Sequence, residues 1–224
     1  MPLKHHDSIA LKKRRGIHGL YAITPERPPD LDALLAQVEK AIIGGARIIQ
    51  YRDKENKAGL RLQNASALSA LCRRHQVLLI VNDDPLVARD AGADGVHLGR
   101  EDTPISSARR LLGEQAIIGV SCYNRLDLAL QAEHSGADYI AFGSFFASAT
   151  KPEAVIAALP LLSQAHEQLS IPIVAIGGIT SDNGAPLITA GAASLAVVSG
   201  VFAQADITAA AQAYARLFDD KPNH

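Results

Sequence analysis

The 224-residue sequence is short of the features that mark several large classes of protein. No apolar stretch reaches the length of a transmembrane helix, and the N-terminal residues lack the apolar segment of a secretory signal. The formal net charge is −1, so the chain as a whole has no field that would favour nucleic acid or membranes. Aromatic residues make up 4% of the chain and are not interleaved with basic residues, which argues against a stacking platform for single-stranded nucleic acid. These absences favour a cytoplasmic protein with neither nucleic acid nor membrane as a partner.

Cysteine and the familiar cofactor motifs are equally scarce. Cys72 and Cys122 are the only cysteines, and they lie far apart, each beside or within an apolar run. We therefore expect two buried free thiols in a reducing compartment. No group of Cys and His has the spacing of a zinc site, and no GxxxxGK(S/T) phosphate loop occurs. The sequence consequently predicts neither a zinc centre nor a P-loop.

The sequence does contain a motif that recurs four times, as GGARIIQYR, AGADGVHLG, SGADYIAFG and AGAASLAVVSG. Each copy carries a glycine of the kind that ends a helix in the left-handed conformation. These glycines are Gly45, Gly92, Gly136 and Gly191. The short apolar run that follows each is too brief for a helix and rich in Val and Ile, which is typical of a strand buried on both faces. Amphipathic segments such as 31–43 and 125–135 predict helices between these strands.

Four further apolar runs are predicted to be strands that alternate with helices in the same way, at residues 19–24, 77–83, 116–122 and 171–178. About eight strands, each followed by a helical segment, predict an α/β fold that is a single-domain (β/α)8 TIM barrel. An open doubly wound sheet is the alternative, weakened by even spacing and by the lack of GxGxxG after the first strand. We expect the barrel to span residues 16–224, after a basic N-terminal arm at residues 1–15.

The predicted strands end in polar residues, which a TIM barrel would gather at its active-site mouth. Gln50, Arg52 and Lys54 follow the second strand at a spacing of two, which places them on one face if the strand continues. Solvated charges at a strand end are the alternative interpretation, but nearly every strand ends in this way. The other polar residues at strand ends are Asn82, Asp83, Asp84, His97, Glu101, Asp102, Ser121, Ser148, Thr150 and Lys151.

Two anion sites are predicted at this mouth. Gly177 and Gly178 follow the seventh strand, and Val198-Ser199-Gly200 ends the eighth. Barrels commonly bind a phosphate at these two places, although such glycines can also serve only as turns. Arg52, Lys54 and Lys151 form a second group of cations, near the carboxylates of Asp83 and Asp102. These carboxylates could form salt bridges or could hold Mg²⁺, which takes one or two carboxylates together with substrate phosphates.

The motifs also resemble, in their order, those of the thiamine phosphate synthase family. They are QYRDK, ND at 82–83, GVHLGRED, GVS at 119–121, SATK, AIGGI and VVS, between about Gly19 and Phe202. The resemblance implies an enzyme that joins 4-amino-5-hydroxymethyl-2-methylpyrimidine diphosphate to a thiazole phosphate, releasing thiamine phosphate and pyrophosphate. Small-molecule substrates are then the expected partners, and a homo-oligomer is allowed.

The resemblance also implies roles for individual residues. The residues implied to bind the pyrimidine diphosphate are Gln50, Tyr51, Arg52, Asp53, Lys54, Asn82, Ser121 and Lys151, with His97 lining the pyrimidine pocket. Those implied to contact the thiazole phosphate are Ser148, Ala149, Thr150, Gly178, Val198 and Ser199. Asp83 and Asp102 would hold Mg²⁺, while Arg52, Lys54, Ser121 and Lys151 would act in catalysis. The family commonly has PTxTK where this chain has ASATK at 147–151, so Ala147 departs from the pattern.

The implied mechanism needs no side-chain nucleophile, because pyrophosphate can leave before the thiazole nitrogen attacks the pyrimidine cation. The protein would then contribute positioning and charge neutralisation. Two other functions stay open: a thiazole tautomerase on a similar barrel, and a non-catalytic barrel that binds phosphate ligands. The cations and carboxylates of the predicted diphosphate site argue against both, because neither function needs them.

Overall fold

The computed structural model describes residues 16–26, 28–147 and 156–219. Eight parallel strands form a closed barrel in sequence order, and β1 pairs with both β2 and β8. The strands are β1 Gly19–Ile23, β2 Ala46–Tyr51, β3 Leu78–Asn82, β4 Gly95–Leu98, β5 Ile117–Tyr123, β6 Tyr139–Phe142, β7 Ile173–Ile176 and β8 Ser194–Val197. The predicted (β/α)8 barrel is therefore confirmed, and the alternative of an open doubly wound sheet is wrong.

Helices alternate with these strands along the described chain. They are α1 Leu31–Ile43, α2 Ala58–His75, α3 Pro85–Asp90, α4 Ile105–Leu112, α5 Leu126–His134, α6 Leu159–Gln168, α7 Ala185–Thr189, α8 Ser199–Phe202 and α9 Ile207–Arg216. Within the described ranges, none of the helices combines the length and apolar character that crossing a bilayer would require.

Local sequence accounts for where these helices begin. The Asp30 carboxylate accepts a hydrogen bond of 2.7 Å from the Ala33 N–H and so caps α1. Asp84 caps α3 in the same way, and Pro85 occupies its first turn, where proline costs no hydrogen bond. Apolar side chains of α1, at Leu34 and Val38, then pack against the sheet from one face.

The barrel has two apolar layers, one on each side of the sheet. Side chains such as Ile48, Ile80 and Val174 fill the interior of the barrel. A larger layer lies between the strands and the surrounding helices, and it includes Cys72 and Cys122. Both cysteines are buried and free, as the sequence predicted.

The four glycines of the recurring motif have positive φ angles, as the sequence predicted. Their φ angles are +100° at Gly45, +64° at Gly92, +92° at Gly136 and +113° at Gly191. Each one follows a helix and precedes the next strand, so the chain reverses at a residue for which positive φ carries no side-chain penalty. The predicted basic arm at residues 1–15 lies outside the described residues.

Candidate active site

A cavity of about 650 Å³ opens at the carboxyl ends of the strands. Its lining combines apolar side chains from inside the barrel, such as Ile23 and Val174, with polar side chains and glycines at the strand ends. The lining includes eight residues that the sequence predicted: Gln50, Arg52, Asn82, His97, Ser121, Gly178, Val198 and Ser199. The closed barrel therefore brings Arg52, at the end of β2, to the same cavity as the glycine-rich loops after β7 and β8.

A chain of hydrogen bonds joins five side chains at the floor of this cavity. Gln50 Nε2 donates to the Tyr21 hydroxyl at 2.8 Å, and that hydroxyl lies 2.8 Å from the hydroxyl of Tyr139. The Tyr139 hydroxyl is 2.9 Å from His97 Nδ1, and His97 Nε2 is 2.9 Å from Ser121 Oγ. The five residues belong to five different strands, so the chain runs across the barrel.

Burial keeps the ionisable members of this chain neutral. It lowers the pKa of His97 to about 4, because a buried imidazolium would lose its hydration, and the charge of Asp102 opposes this shift only in part. Burial also raises the pKa of Tyr21 and of Tyr139 above their ordinary value. At neutral pH the floor of the cavity is consequently polar but uncharged.

The cations at the mouth are already paired with carboxylates. The Arg52 guanidinium forms an ion pair with Glu26, which lies in the loop after β1. The Arg52 backbone N–H donates to Thr24 Oγ1 at 3.0 Å, which holds the end of β2 against the same loop. Lys54 Nζ lies 3.3 Å from Asp83 Oδ2. An anionic ligand would therefore compete with Glu26 and Asp83 for these two cations.

Asp83 and Asp102 form a close carboxyl pair at the ends of β3 and β4. Burial raises the pKa of Asp83, the hydrogen bond with Asp102 and the charge of Asp102 raise it further, and Lys54 opposes the rise. The Gly99 N–H donates to Asp102 Oδ2 at 2.7 Å and helps to hold that carboxylate in place. Two carboxyl groups this close favour either a shared proton or a bound cation. Oxygen ligands of this kind suit Mg²⁺, so the pair fits the predicted metal.

The Asp83–Asp102 carboxyl pair is not part of the main cavity lining. Asp83 borders a second hollow of about 440 Å³ beside that cavity, together with Arg61 and Asp84. Across residues 16–26, 28–147 and 156–219, no cluster of three or more His, Cys, Asp or Glu side chains could hold a metal by itself. A divalent ion on Asp83 and Asp102 would thus depend on oxygen atoms from a ligand, as Mg²⁺ at phosphates commonly does.

The loops after β7 and β8 form the other end of the cavity. Gly177 and Gly178 have φ angles of +102° and +62°. A Cβ atom on Gly178 would lie 2.5 Å from the Ala147 carbonyl oxygen, so the backbone passes too close to the loop after β6 for any side chain. Ser199 begins α8, which is a single turn of four residues. Backbone N–H groups at the start of a helix have no acceptor within the helix, so this turn can present donors to an anion.

Some of the predicted residues have other surroundings. Tyr51 packs in the outer layer, where its hydroxyl donates to Asp53 Oδ2 at 2.7 Å. Asp53 also accepts hydrogen bonds from the Glu55 and Asn56 N–H groups, so it closes a turn. Neither residue is among those described as lining the cavity. Ser148, Ala149, Thr150 and Lys151 lie outside the described residues.

Two other polar residues at strand ends lie away from the cavity lining. Asp84, considered as a strand-end carboxylate, caps α3 and forms an ion pair with Arg61 at 3.1 Å. Glu101 is exposed in the loop after β4.

Sequence reasoning missed two residues of the cavity. Tyr21 and Tyr139 line it, and the signal that could have identified them is a tyrosine hydroxyl within an otherwise apolar strand.

Comparisons with known proteins point to one family. A family model described as "Thiamine monophosphate synthase" matches residues 20–201. The chain is 54% identical over 203 residues to "Thiamine-phosphate synthase" of Thioalkalivibrio sulfidiphilus, which covers 91% of this chain and 96% of the relative. It is 53% identical over 204 residues to "Thiamine-phosphate synthase" of Thiobacillus denitrificans, with coverage of 91% and 96%.

Solved structures agree with these sequence matches. The "Thiamine phosphate pyrophosphorylase" structure from Pyrococcus furiosus superimposes with a TM-score of 0.83 at 35% identity, over 92% of this chain and 98% of the other. Orotidine 5'-phosphate decarboxylase from Pyrococcus horikoshii has a TM-score of 0.66 at 14% identity, over 89% of this chain and 100% of the other. At that identity the second likeness concerns the fold alone.

Proposed function

Because the chain belongs to the thiamine monophosphate synthase family, we propose that it makes thiamine phosphate from a pyrimidine diphosphate and a thiazole phosphate. The observation that supports this proposal most directly is that one cavity has two different groups of residues suited to binding anions. Cationic and amide side chains line it at the ends of β2 and β3, while glycine-rich loops line it after β7 and β8. Two anion-binding ends in a single cavity suit two phosphorylated substrates that must meet.

The diphosphate end consists of Arg52, Asn82 and Ser121, with Lys54 nearby. Arg52 and Lys54 supply positive charge, while the Asn82 amide and the Ser121 hydroxyl can donate hydrogen bonds to phosphate oxygens. When a diphosphate arrives, it replaces Glu26 and Asp83 as the partner of these cations. Charge that builds up on the departing pyrophosphate is then stabilised by groups already in position.

Asp83 and Asp102 would hold Mg²⁺ at the same end. The raised pKa of Asp83 supports this role, because two adjacent carboxyl groups are more stable with a cation than without one. The ion would neutralise part of the diphosphate charge. Lys54, whose ammonium group lies 3.3 Å from Asp83, would add its positive charge at the same end.

The thiazole phosphate would occupy the other end, against Gly178, Val198 and Ser199. Absence of a side chain at Gly178 lets phosphate oxygens approach backbone N–H groups. The apolar wall of the cavity, which includes Ile176 and Val198, would accommodate the uncharged part of the substrates and exclude water.

The remaining chemistry is positioning. His97 is neutral and buried, and its two ring nitrogens are engaged by Tyr139 and Ser121, so it suits packing beside an uncharged aminopyrimidine better than binding an anion. Pyrophosphate leaves from the pyrimidine methylene carbon, and the thiazole nitrogen attacks the same carbon. Loss of one charged group at the diphosphate end should cost on the order of 3 kcal/mol in the barrier, or about a hundredfold in rate.

The decisive experiment incubates the protein with both substrates and Mg²⁺ and measures thiamine phosphate and pyrophosphate. Arg52→Gln should lower turnover about a hundredfold. Arg89→Gln is the matched control, because Arg89 pairs with Asp90 at an exposed position at the far end of α3. Turnover of the thiazole substrate alone, with no product from the pyrimidine diphosphate, would favour a tautomerase instead. Binding without any turnover would favour the non-catalytic barrel.

Three expectations extend this proposal. Residues 148–151 would complete both ends of the site, with Lys151 on the diphosphate and Ser148 and Thr150 near the thiazole phosphate. The basic arm at residues 1–15 stays a prediction from the sequence, which also allows a homo-oligomer. Sedimentation of the full chain, compared with a variant beginning at residue 16, would test both together.

A further inference from the structure

We propose that Tyr21 and Tyr139 are positioning residues that hold His97 as its Nε2–H tautomer and thereby make Ser121 a hydrogen-bond donor into the cavity. The ligand that would use this donor, a diphosphate, rests on the proposed function. The tautomer itself does not, because it follows from the hydrogen bonds at the cavity floor. Neither tyrosine was among the residues that sequence or family resemblance indicated.

The direction of the hydrogen bonds begins at Gln50. Its Nε2 group can only donate, so the Tyr21 hydroxyl accepts at this contact of 2.8 Å. The proton of Tyr21 is then available for the Tyr139 hydroxyl, 2.8 Å away. Tyr21 is 1% exposed and Tyr139 is fully buried, so neither hydroxyl can readily exchange this partner for water.

The same direction continues through His97. The Tyr139 hydroxyl accepts from Tyr21, so its own buried proton is directed to its other partner among the described residues, His97 Nδ1, at 2.9 Å. A neutral imidazole that accepts at Nδ1 carries its proton on Nε2. His97 Nε2–H therefore donates to Ser121 Oγ at 2.9 Å, and the Ser121 proton is left for a group in the cavity.

The reverse direction would give Ser121 the opposite character. Ser121 would donate to His97 Nε2, and Nδ1–H would donate to Tyr139. Tyr139 would donate to Tyr21, whose proton would then need the oxygen of a rotated Gln50 amide. Ser121 would offer only lone pairs to the cavity, which a phosphate cannot use because its ionised oxygens accept hydrogen bonds. An anion at Ser121 thus favours the forward direction.

The tautomer can be measured directly by nitrogen NMR of the protein with 15N-labelled histidine at neutral pH. The His97 signals are assigned by their loss in a His97→Gln variant. We expect Nε2 to have the shift of a protonated nitrogen and Nδ1 that of an accepting nitrogen. Tyr139→Phe should move the Nδ1 signal toward that of an unbonded nitrogen or produce a mixture of tautomers. Nδ1–H in the unaltered protein would overturn the inference, whatever ligand the protein binds.

The effect on Ser121 is measured by calorimetric titration with inorganic pyrophosphate and Mg²⁺. Ser121→Ala should weaken binding by about tenfold or more, since one hydrogen bond to a charged group is lost. Tyr139→Phe should weaken it several-fold, and it should have almost no further effect once Ser121 is alanine. Independent effects of the two substitutions, which multiply in the double variant, would overturn the positioning role.

Two further variants keep the test clear. Tyr21→Phe interrupts the chain one step earlier and replaces Tyr139→Phe if that variant fails to fold; the same coupling to Ser121 is expected. Tyr214→Phe is the matched control, because Tyr214 is also buried and its hydroxyl donates to the Ile179 carbonyl at 3.0 Å. It should leave the His97 signals and pyrophosphate affinity unchanged. If the unaltered protein does not bind pyrophosphate, the proposed function fails. The NMR measurement of the His97 tautomer still tests the inferred direction of the hydrogen bonds in that case.

Discussion

Substitution of Gly178 by alanine tests how the loop after β7 forms the predicted thiazole phosphate site. Gly178 has φ +62°, and a Cβ atom there would lie 2.5 Å from the Ala147 oxygen and 2.7 Å from the Phe146 oxygen. Both atoms belong to the backbone of the loop after β6. The Phe146 N–H donates to the Gly177 carbonyl at 3.0 Å, so the two loops are joined where the methyl group would enter.

The magnitude can be separated with a matched glycine. Gly92 has φ +64°, but its added Cβ would meet side-chain atoms alone, Arg73 Nη2 at 3.4 Å and Ser69 Oγ at 3.9 Å. Gly92→Ala should cost about 1–2 kcal/mol of unfolding free energy, which is the penalty for a left-handed alanine. Gly178→Ala should cost the same amount plus a further ~1–3 kcal/mol, because two backbone carbonyls must move. The difference between the two variants isolates the contact between the loops.

Urea unfolding of both variants measures these free energies, and titrations with thiazole phosphate and with pyrophosphate measure the two ends of the cavity. We expect Gly178→Ala to weaken thiazole phosphate binding and to leave pyrophosphate binding nearly unchanged. Gly92→Ala should affect neither. Equal stability losses in the two variants would refute the argument from close approach, and a selective loss of pyrophosphate binding would mean that the two ends are interchanged.

Three other predictions concern the diphosphate end. Asp83→Ala or Asp102→Ala should lower turnover sharply while the circular dichroism spectrum is retained, and full activity in excess EDTA would contradict a metal requirement. Burial lowers the pKa of His97 to about 4, below its unfolded value of about 6.5, so the unfolded state binds a proton at a higher pH than the folded state does. The free energy of unfolding should therefore decrease by on the order of 3 kcal/mol as the pH is lowered from about 6.5 to about 4. His97→Gln should flatten this part of the pH profile in urea unfolding, and an unchanged profile would refute the assignment. Lys151→Ala should lower turnover and raise the fraction of pyrimidine released as the alcohol, and product analysis that found rate and partition unchanged would place Lys151 in solvent.

Much of the fold could be predicted because it is encoded in short segments. The observed strand Leu78–Asn82 lies within the predicted run 77–83, and α1 has the predicted bounds, Leu31–Ile43. Apolar periodicity and capping act over a few residues, so one chain segment carries the whole signal. The positive φ at Gly45 and Gly191 was predictable for the same reason. Closure followed from counting eight similar units, which suit a barrel better than an open sheet.

Prediction of the site was less complete where the argument relied on strand alternation beyond the end of a strand. β2 ends at Tyr51, so the spacing of Gln50 and Lys54 no longer determines a common face. Gln50 is buried on the cavity floor, whereas Lys54 contacts Asp83 outside the cavity lining. Asp53 forms a turn with the residues that follow it, a role that its side chain can satisfy locally.

By itself, the sequence determined which residues end the strands and which helices and turns separate them, since these depend on neighbours along the chain. Only the tertiary structure decided which strand ends meet. Tyr21 and Tyr139 are separated by 118 residues, yet closure of the barrel places their hydroxyls 2.8 Å apart. The polarity of the cavity floor, the neutral state of His97 and the contact of Asp83 with Asp102 arise in the same way. Each depends on burial and on neighbours from other strands, and no local pattern in the chain specifies these.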